Sequence, residues 1–80
     1  ALANLHNIDA EVFEFEVQPK AKVTEKPIKE LRFPREAVFG GIIRNGKALM
    51  SFGDMQIQGG DKVIVFCLPE AISIVEELFN

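Results

Sequence analysis

Between Gly60 and Pro69 the chain reads Asp61-Lys62-Val63-Ile64-Val65-Phe66-Cys67-Leu68, and no other stretch constrains the fold as much. Val63 to Leu68 is apolar without a break, rich in β-branched residues, too short for a buried helix, and bounded by glycine on one side and proline on the other. Those features predict a strand. Because the run has no polar position, they also predict that both of its faces are covered. The neighbours that cover it must come from a small chain. Eighty residues suffice for one core, burying about 60–65% of the surface that the unfolded chain exposes. A hydrophobic content of 48% with seven Phe places the sequence among packed domains and not among disordered tails.

Residues 12–17 alternate, with Phe13, Phe15 and Val17 on one face and Val12, Glu14 and Glu16 on the other, which is the period of a half-buried strand. Pro19 and a polar stretch from Lys20 to Lys26 end it. Pro27 then suits the start of a short helix buried through Ile28 and Leu31, since it fixes φ and has no donor to waste. Val38 to Ile43 reads as a strand, Asn45-Gly46 as a type I′ turn, and Ala48 to Phe52 as the returning strand. Gly40-Gly41 inside a strand marks a bulge or a close approach by another backbone or a ligand, with the bulge or packing reading favoured. Gly59-Gly60-Asp61 reads as a tight turn whose aspartate accepts from backbone donors. Pro69-Glu70 opens a final helix, with Ala71, Ile74, Val75 and Leu78 at i, i+3, i+4 and i+7 and the stripe widened by Ile72 and Phe79. The fold class is therefore α+β: a small antiparallel sheet of about four strands with helices packed on one face, in the order strand, helix, three strands, helix.

Chemistry is sparse in this sequence. A formal charge of −3 and scattered basic residues exclude the electrostatic footprint of a nucleic-acid binder. The densest basic group, Lys20, Lys22, Lys26 and Lys29, is interrupted by Glu25 and Glu30 and reads as a solvated face, with an anion site as the alternative. His6 has only Asp9 near it, an incomplete metal pair, and Glu14 with Glu16 lacks a partner element, so neither catalytic nor metal-ligating residues are assigned. Gly59-Gly60-Asp61 leads into a strand and lacks the Lys-Ser/Thr of a phosphate loop. Cys67 is the sole cysteine, so it packs as a small apolar residue, as in a reducing cytoplasm. No apolar run is long enough to cross a bilayer, which predicts a soluble chain without membrane insertion. The start at Ala1, without Met and in a helix-like Ala-Leu-Ala-Asn-Leu, reads as a piece of a longer polypeptide. Arg44 is the one charged side chain at the mouth of an apolar hairpin, either solvated or poised for an anion. On the anion reading its removal leaves stability within about 0.5 kcal/mol and weakens ligand binding instead.

The Ile42-Ile43-Arg44-Asn45-Gly46 hairpin followed by Gly60-Asp61 closely resembles the TrkA C-terminal, or RCK C-terminal, domain family, whose pattern is Ile-x-Arg-x-Gly, a loop, then Gly-Asp before an apolar strand. The resemblance reaches back to Phe13-Glu14-Phe15-Glu16-Val17 and Pro27 to Leu31, and forward through Pro69-Glu70-Ala71. It covers residues 10–80 and leaves 1–9 as the end of a preceding linker or helix. Ser51 and Gly59 stand where relatives often carry Pro. What the resemblance implies is a non-enzymatic regulatory domain of a potassium-uptake protein, cytoplasmic, peripheral to the inner side of the membrane through a membrane transporter subunit. It also implies a homodimer with candidate contacts at Phe39 and Ile43. A nucleotide such as cyclic di-AMP would bind at Arg44 and Asn45, and NAD or ATP would belong only to an upstream Rossmann-type domain. The other reading is a ligand-free structural dimerisation module of another ion or anion transporter.

Overall fold

The computed structural model describes residues 10–50 and 53–80, together with the backbone of Ala3 and Asn4. Strands β1 (Ala3–Asn4), β2 (Glu11–Glu16), β3 (Ala37–Arg44), β4 (Lys47–Leu49) and β5 (Lys62–Cys67) form one antiparallel sheet in the order β1-β2-β5-β3-β4. The expected four-stranded α+β layer is thus present, extended by the two residues of β1. Ala3–Asn4 are extended opposite Val12 and Glu11, where a linker or helix end was expected. His6, Asp9, Ser51 and Phe52 lie outside the described residues, and the returning strand is described as Lys47–Leu49.

The apolar run takes the middle of the sheet, because β5 pairs with β2 from Glu11↔Cys67 to Glu16↔Lys62 and with β3 from Ala37↔Cys67 to Ile43↔Lys62. Val63 to Cys67 thus have strand neighbours on both sides, interrupted by the irregularity between Phe39 and Gly41, and the Leu68 amide donates to the Glu36 carbonyl at 2.9 Å. Only one of its faces is covered, which corrects the expectation from its unbroken apolarity. Val63, Val65 and Cys67 are buried, whereas Ile64 is half-buried and Phe66 remains 37% exposed.

A register shift between Phe39 and Gly41 is the bulge expected at the glycine pair. Gly40 points its missing side chain at Phe66: a Cβ there would sit 2.8 Å from the Phe66 ring and 3.2 Å from Ile64 Cγ2. The bulge also flips the parity of β3, so Ala37 and Phe39 before it and Ile42 after it all face the core. Asn45 (φ 52°) and Gly46 (φ 76°) both take the left-handed conformation that a type I′ hairpin demands.

The covering layer comes from the last helix and from two short turns. Helix α1 (Ile72–Phe79) buries Val75 and Phe79, and the 3₁₀ turn before it at Pro69–Ala71 buries Ala71, so the three stand four residues apart. Ile74, expected in the buried stripe, is 53% exposed. The Gln18 amide donates to the Phe79 carbonyl at 2.9 Å, satisfying one of the free carbonyls of the last turn. The Phe79 ring stacks on Phe15, centroids 5.0 Å apart.

The helix expected at Pro27 is a single 3₁₀ turn, Ile28–Glu30. A second such turn, Lys22–Thr24, lies inside the stretch read as polar, and there Ala21 and Val23 are fully buried. In that stretch alternate residues go to the core while the lysines go to water. Ile57 joins the core from the loop before β5, held by Ile28 N–H to Met55 O and Lys29 N–H to Gly53 O.

Candidate functional site

The end of the sheet beyond Lys62 and Ile43 holds Arg44, Asn45 and Asp61. One step past the Ile43↔Lys62 pair, antiparallel geometry brings Arg44 alongside Asp61, both on the covered side. The guanidinium forks onto the carboxylate, Nε to Oδ1 at 2.9 Å and Nη2 to Oδ2 at 2.8 Å. Nη2 also donates to the Gln56 carbonyl at 3.1 Å, and Oδ2 accepts the Gln58 amide at 2.9 Å. The pair thus ties β3 to the loop before β5 and closes the lower edge of the core.

Asp61 is 2% exposed and the Arg44 side chain 24%. Burial alone would raise the Asp61 carboxyl, but the hydrogen bond from Arg44, the Gln58 amide and the guanidinium charge together outweigh it and hold the group below its ordinary value. Arg44 is raised, chiefly by the hydrogen bond to Asp61, against a smaller lowering by burial. The solvated hairpin end expected for Arg44 is therefore corrected: two of its three nitrogens are engaged inside the chain. The expected turn role of Asp61 is present through Gln58, in a four-residue turn with Gly60 at φ 90°.

Asn45 is exposed at the hairpin tip. Ile43 is half-buried on the open face of the sheet, opposite Lys62 and Ala48. Phe39 faces the other way, packed edge-to-face on Phe33 with centroids 4.3 Å apart. The four named residues thus do not form one cluster: Arg44 and Phe39 belong to the covered side, Ile43 to the open side, Asn45 to the rim.

The open face carries what the residue-by-residue reading named only through Ile43. Val12, Phe66 and Val38 stand side by side across β2, β5 and β3, with Ile64 and Ile43 further along. Val38 is 62% exposed. Glu14, Glu16 and Lys62 border this apolar strip, with Lys62 Nζ 3.8 Å from Glu14. The signal was available in the pairing register, since each of these residues lies one position out of phase with the core set. Among the described residues, no three His, Cys, Asp or Glu side chains gather to hold a metal ion, and no helix is long and apolar enough to cross a membrane.

Residues 12–80 match the TrkA-C domain family. The chain is 32% identical over all 80 residues to the Trk system potassium uptake protein TrkA homolog 2 of Methanosarcina mazei. It is 33% identical over 59 residues, 74% of its length, to the Trk system potassium uptake protein TrkA homolog of Archaeoglobus fulgidus. It spans 18% and 14% of those relatives. An RCK domain solved with cda superposes with a TM-score of 0.75 at 23% identity, over 86% of this chain and 97% of that one, a likeness of fold. A hairpin pinned by Arg44 and Asp61, a central apolar strand and a family match over residues 12–80 lead to one conclusion: the chain belongs to the TrkA-C domain family.

Proposed function

We propose that this chain is a regulatory domain of a potassium-uptake protein, and that it works by pairing with a second copy through the open face of its sheet. The observation that carries this reading is the strip of Val12, Val38, Ile43, Ile64 and Phe66, which the chain's own helical layer leaves uncovered. Contiguous exposed apolar surface on a small domain is the usual mark of an interaction site, and a two-fold pair lets one self-complementary patch cover itself. The domain carries no chemistry of its own in this reading. It sits on the cytoplasmic side and passes its state to a membrane transporter subunit through the rest of the parent protein.

In this reading a phosphate-bearing nucleotide binds where two hairpin ends approach. Cyclic di-AMP is the first candidate, since a neighbour of the same fold was solved with cda. Asn45 offers an exposed amide at the tip, and the Nη1 of Arg44 is not among the nitrogens engaged by Asp61 and Gln56. The Arg44–Asp61 fork holds this end in one geometry. A ligand that binds pairs and not monomers stabilises the pair by about 2.7 kcal/mol at a hundredfold excess over Kd. One that binds both equally shifts nothing.

Sedimentation equilibrium of the 80-residue chain, with and without cyclic di-AMP, tests the proposal. Pairing is expected to weaken at least tenfold in Val38→Glu, because a like charge enters both halves of the patch. It is expected to strengthen with nucleotide. Wild-type pairs that ignore every nucleotide would favour the ligand-free structural module, and a Val38→Glu protein that pairs like wild type would remove the open face from the account.

A further inference from the structure

On the opposite side of the molecule a cleft of about 190 Å³ opens between the 3₁₀ turn at Lys22–Thr24, the segment from Glu30 to Phe33, and the last turn of α1. Its lining is mixed: buried Val23 and half-buried Leu31, Phe33 and Leu78 supply apolar surface, and charged side chains supply the rest. Around the rim stand Lys22, Lys26 and Arg32, three cations against the two carboxylates of Glu25 and Glu30. Among the described residues none of the three cations is in an ion pair; those that form involve Lys29, Arg44 and Lys62. The lysines read from sequence as a solvated face thus border a hollow with both apolar surface and cations in its lining.

We propose that this cleft binds a small amphipathic organic anion, a single carboxylate on a short apolar or aromatic body. Volume sets the size: a cavity of about 150 Å³ accommodates benzene, whereas sites for drug-sized ligands start near 300 Å³. The rim sets the charge. Three cations attract an anion, and Glu25 and Glu30 between them repel a dianion, which selects a monocarboxylate over a phosphate monoester. Arg32 supplies the planar fork that suits a carboxylate. The apolar body would meet Phe33, whose ring contacts Phe39 and lies 6.1 Å from Phe79, so occupancy is felt in the core. This site lies on the helical layer and does not depend on pairing through the open sheet face.

The test is a titration of the 80-residue chain with benzoate, followed by amide proton–nitrogen spectra, beside benzyl alcohol, benzylamine, acetate and inorganic phosphate. Benzoate is expected to saturate with Kd in the millimolar range, roughly 1–10 mM for so open a cleft. The moving signals should be those of residues 22–33 and of Leu78, with the open-face residues Val38 and Phe66 unmoved. Benzyl alcohol, the neutral counterpart, should bind about fivefold more weakly, the scale of one exposed charge pair. Benzylamine should be weaker still. Acetate, which has the charge without the body, and phosphate should not saturate. The Lys26→Gln/Arg32→Gln double variant, altered at exposed positions, should reduce benzoate to the level of the alcohol. Equal binding of benzoate and benzyl alcohol, saturation by acetate or phosphate with the same signals, or no saturable shift at these residues would each overturn the proposal. The wild-type ligand series decides it even where the variant fails to fold.

Discussion

Replacing Arg44 by alanine should unsettle the fold far more than a hairpin-end residue ordinarily does. The change removes two charge-assisted hydrogen bonds to Asp61 and one to the Gln56 carbonyl, and it strands a carboxylate that is 2% exposed. Hydrogen bonds to charged groups contribute about 1.5–3 kcal/mol, and leaving one member of a buried pair alone costs about 3–5 kcal/mol. The Arg44 side chain is 24% exposed, so water can reach part of the gap and the lower end applies. The expected loss is about 2–4 kcal/mol. A domain of 80 residues has roughly 4–12 kcal/mol in total, so the variant stands near the edge of folding. Urea unfolding followed by circular dichroism measures this, with exposed Lys47→Ala as the control, expected within about 0.5 kcal/mol of wild type. Arg44→Lys keeps the charge but not the fork and should fall between the two.

The same pair predicts a pH dependence whose sign differs between the two proteins. In the wild type the folded carboxyl of Asp61 lies below its unfolded value, so its contribution is complete above about pH 4 and is lost as pH falls through the folded value. In Arg44→Ala, burial is opposed by the Gln58 amide alone and the carboxyl rises, so acid relieves the variant's penalty. The stability gap should be widest near neutrality and shrink steadily on acidification. A gap under about 0.5 kcal/mol at pH 7, or one unchanged between pH 7 and pH 3, would refute the assigned role.

Three further outcomes follow from the packing. Gly40→Val should destabilise by about 1–3 kcal/mol, because its side chain meets the Phe66 ring and the Ile64 backbone, and Phe66→Ala in the same chain should recover most of that loss in urea unfolding. Phe79→Ala, which empties a fully buried site stacked on Phe15, should cost about 3–5 kcal/mol in the same assay. Cys67 is buried, donates to the Leu68 carbonyl at 3.3 Å, and has its thiol pushed up by burial first and then by Glu70 and Glu11. Its labelling by a thiol reagent should therefore be slow in the native protein and fast in urea, and rapid native labelling would contradict the buried assignment of β5.

What could be read in the sequence was what depends on neighbours along the chain. Alternation at Phe13, Phe15 and Val17, the Asn45-Gly46 turn and the glycine bulge are set by local backbone geometry, and each stands where residue spacing put it. The Arg44–Asp61 pair spans seventeen positions and exists only because β5 lies beside β3 in a particular register, which no local pattern states. Knowing that register, an Asp immediately before the central strand and an Arg at the end of its neighbour would have pointed to each other. Ala21 and Val23 were hidden by the lysines around them, and Ile57 by standing as the lone apolar residue between two glutamines.

The apolar run Val63 to Leu68 shows a deeper limit on such reading. Hydrophobicity reports that a face is kept from water without saying what keeps it so. Within one chain the demand of Ile64 and Phe66 for cover goes unmet, while Val63, Val65 and Cys67 are satisfied by α1 and the 3₁₀ turns. The sequence thus encodes a strand suited to burial on both sides, and the fold supplies one of them. In the pairing proposed above, a second copy presenting the same strip would meet the demand on both partners at once.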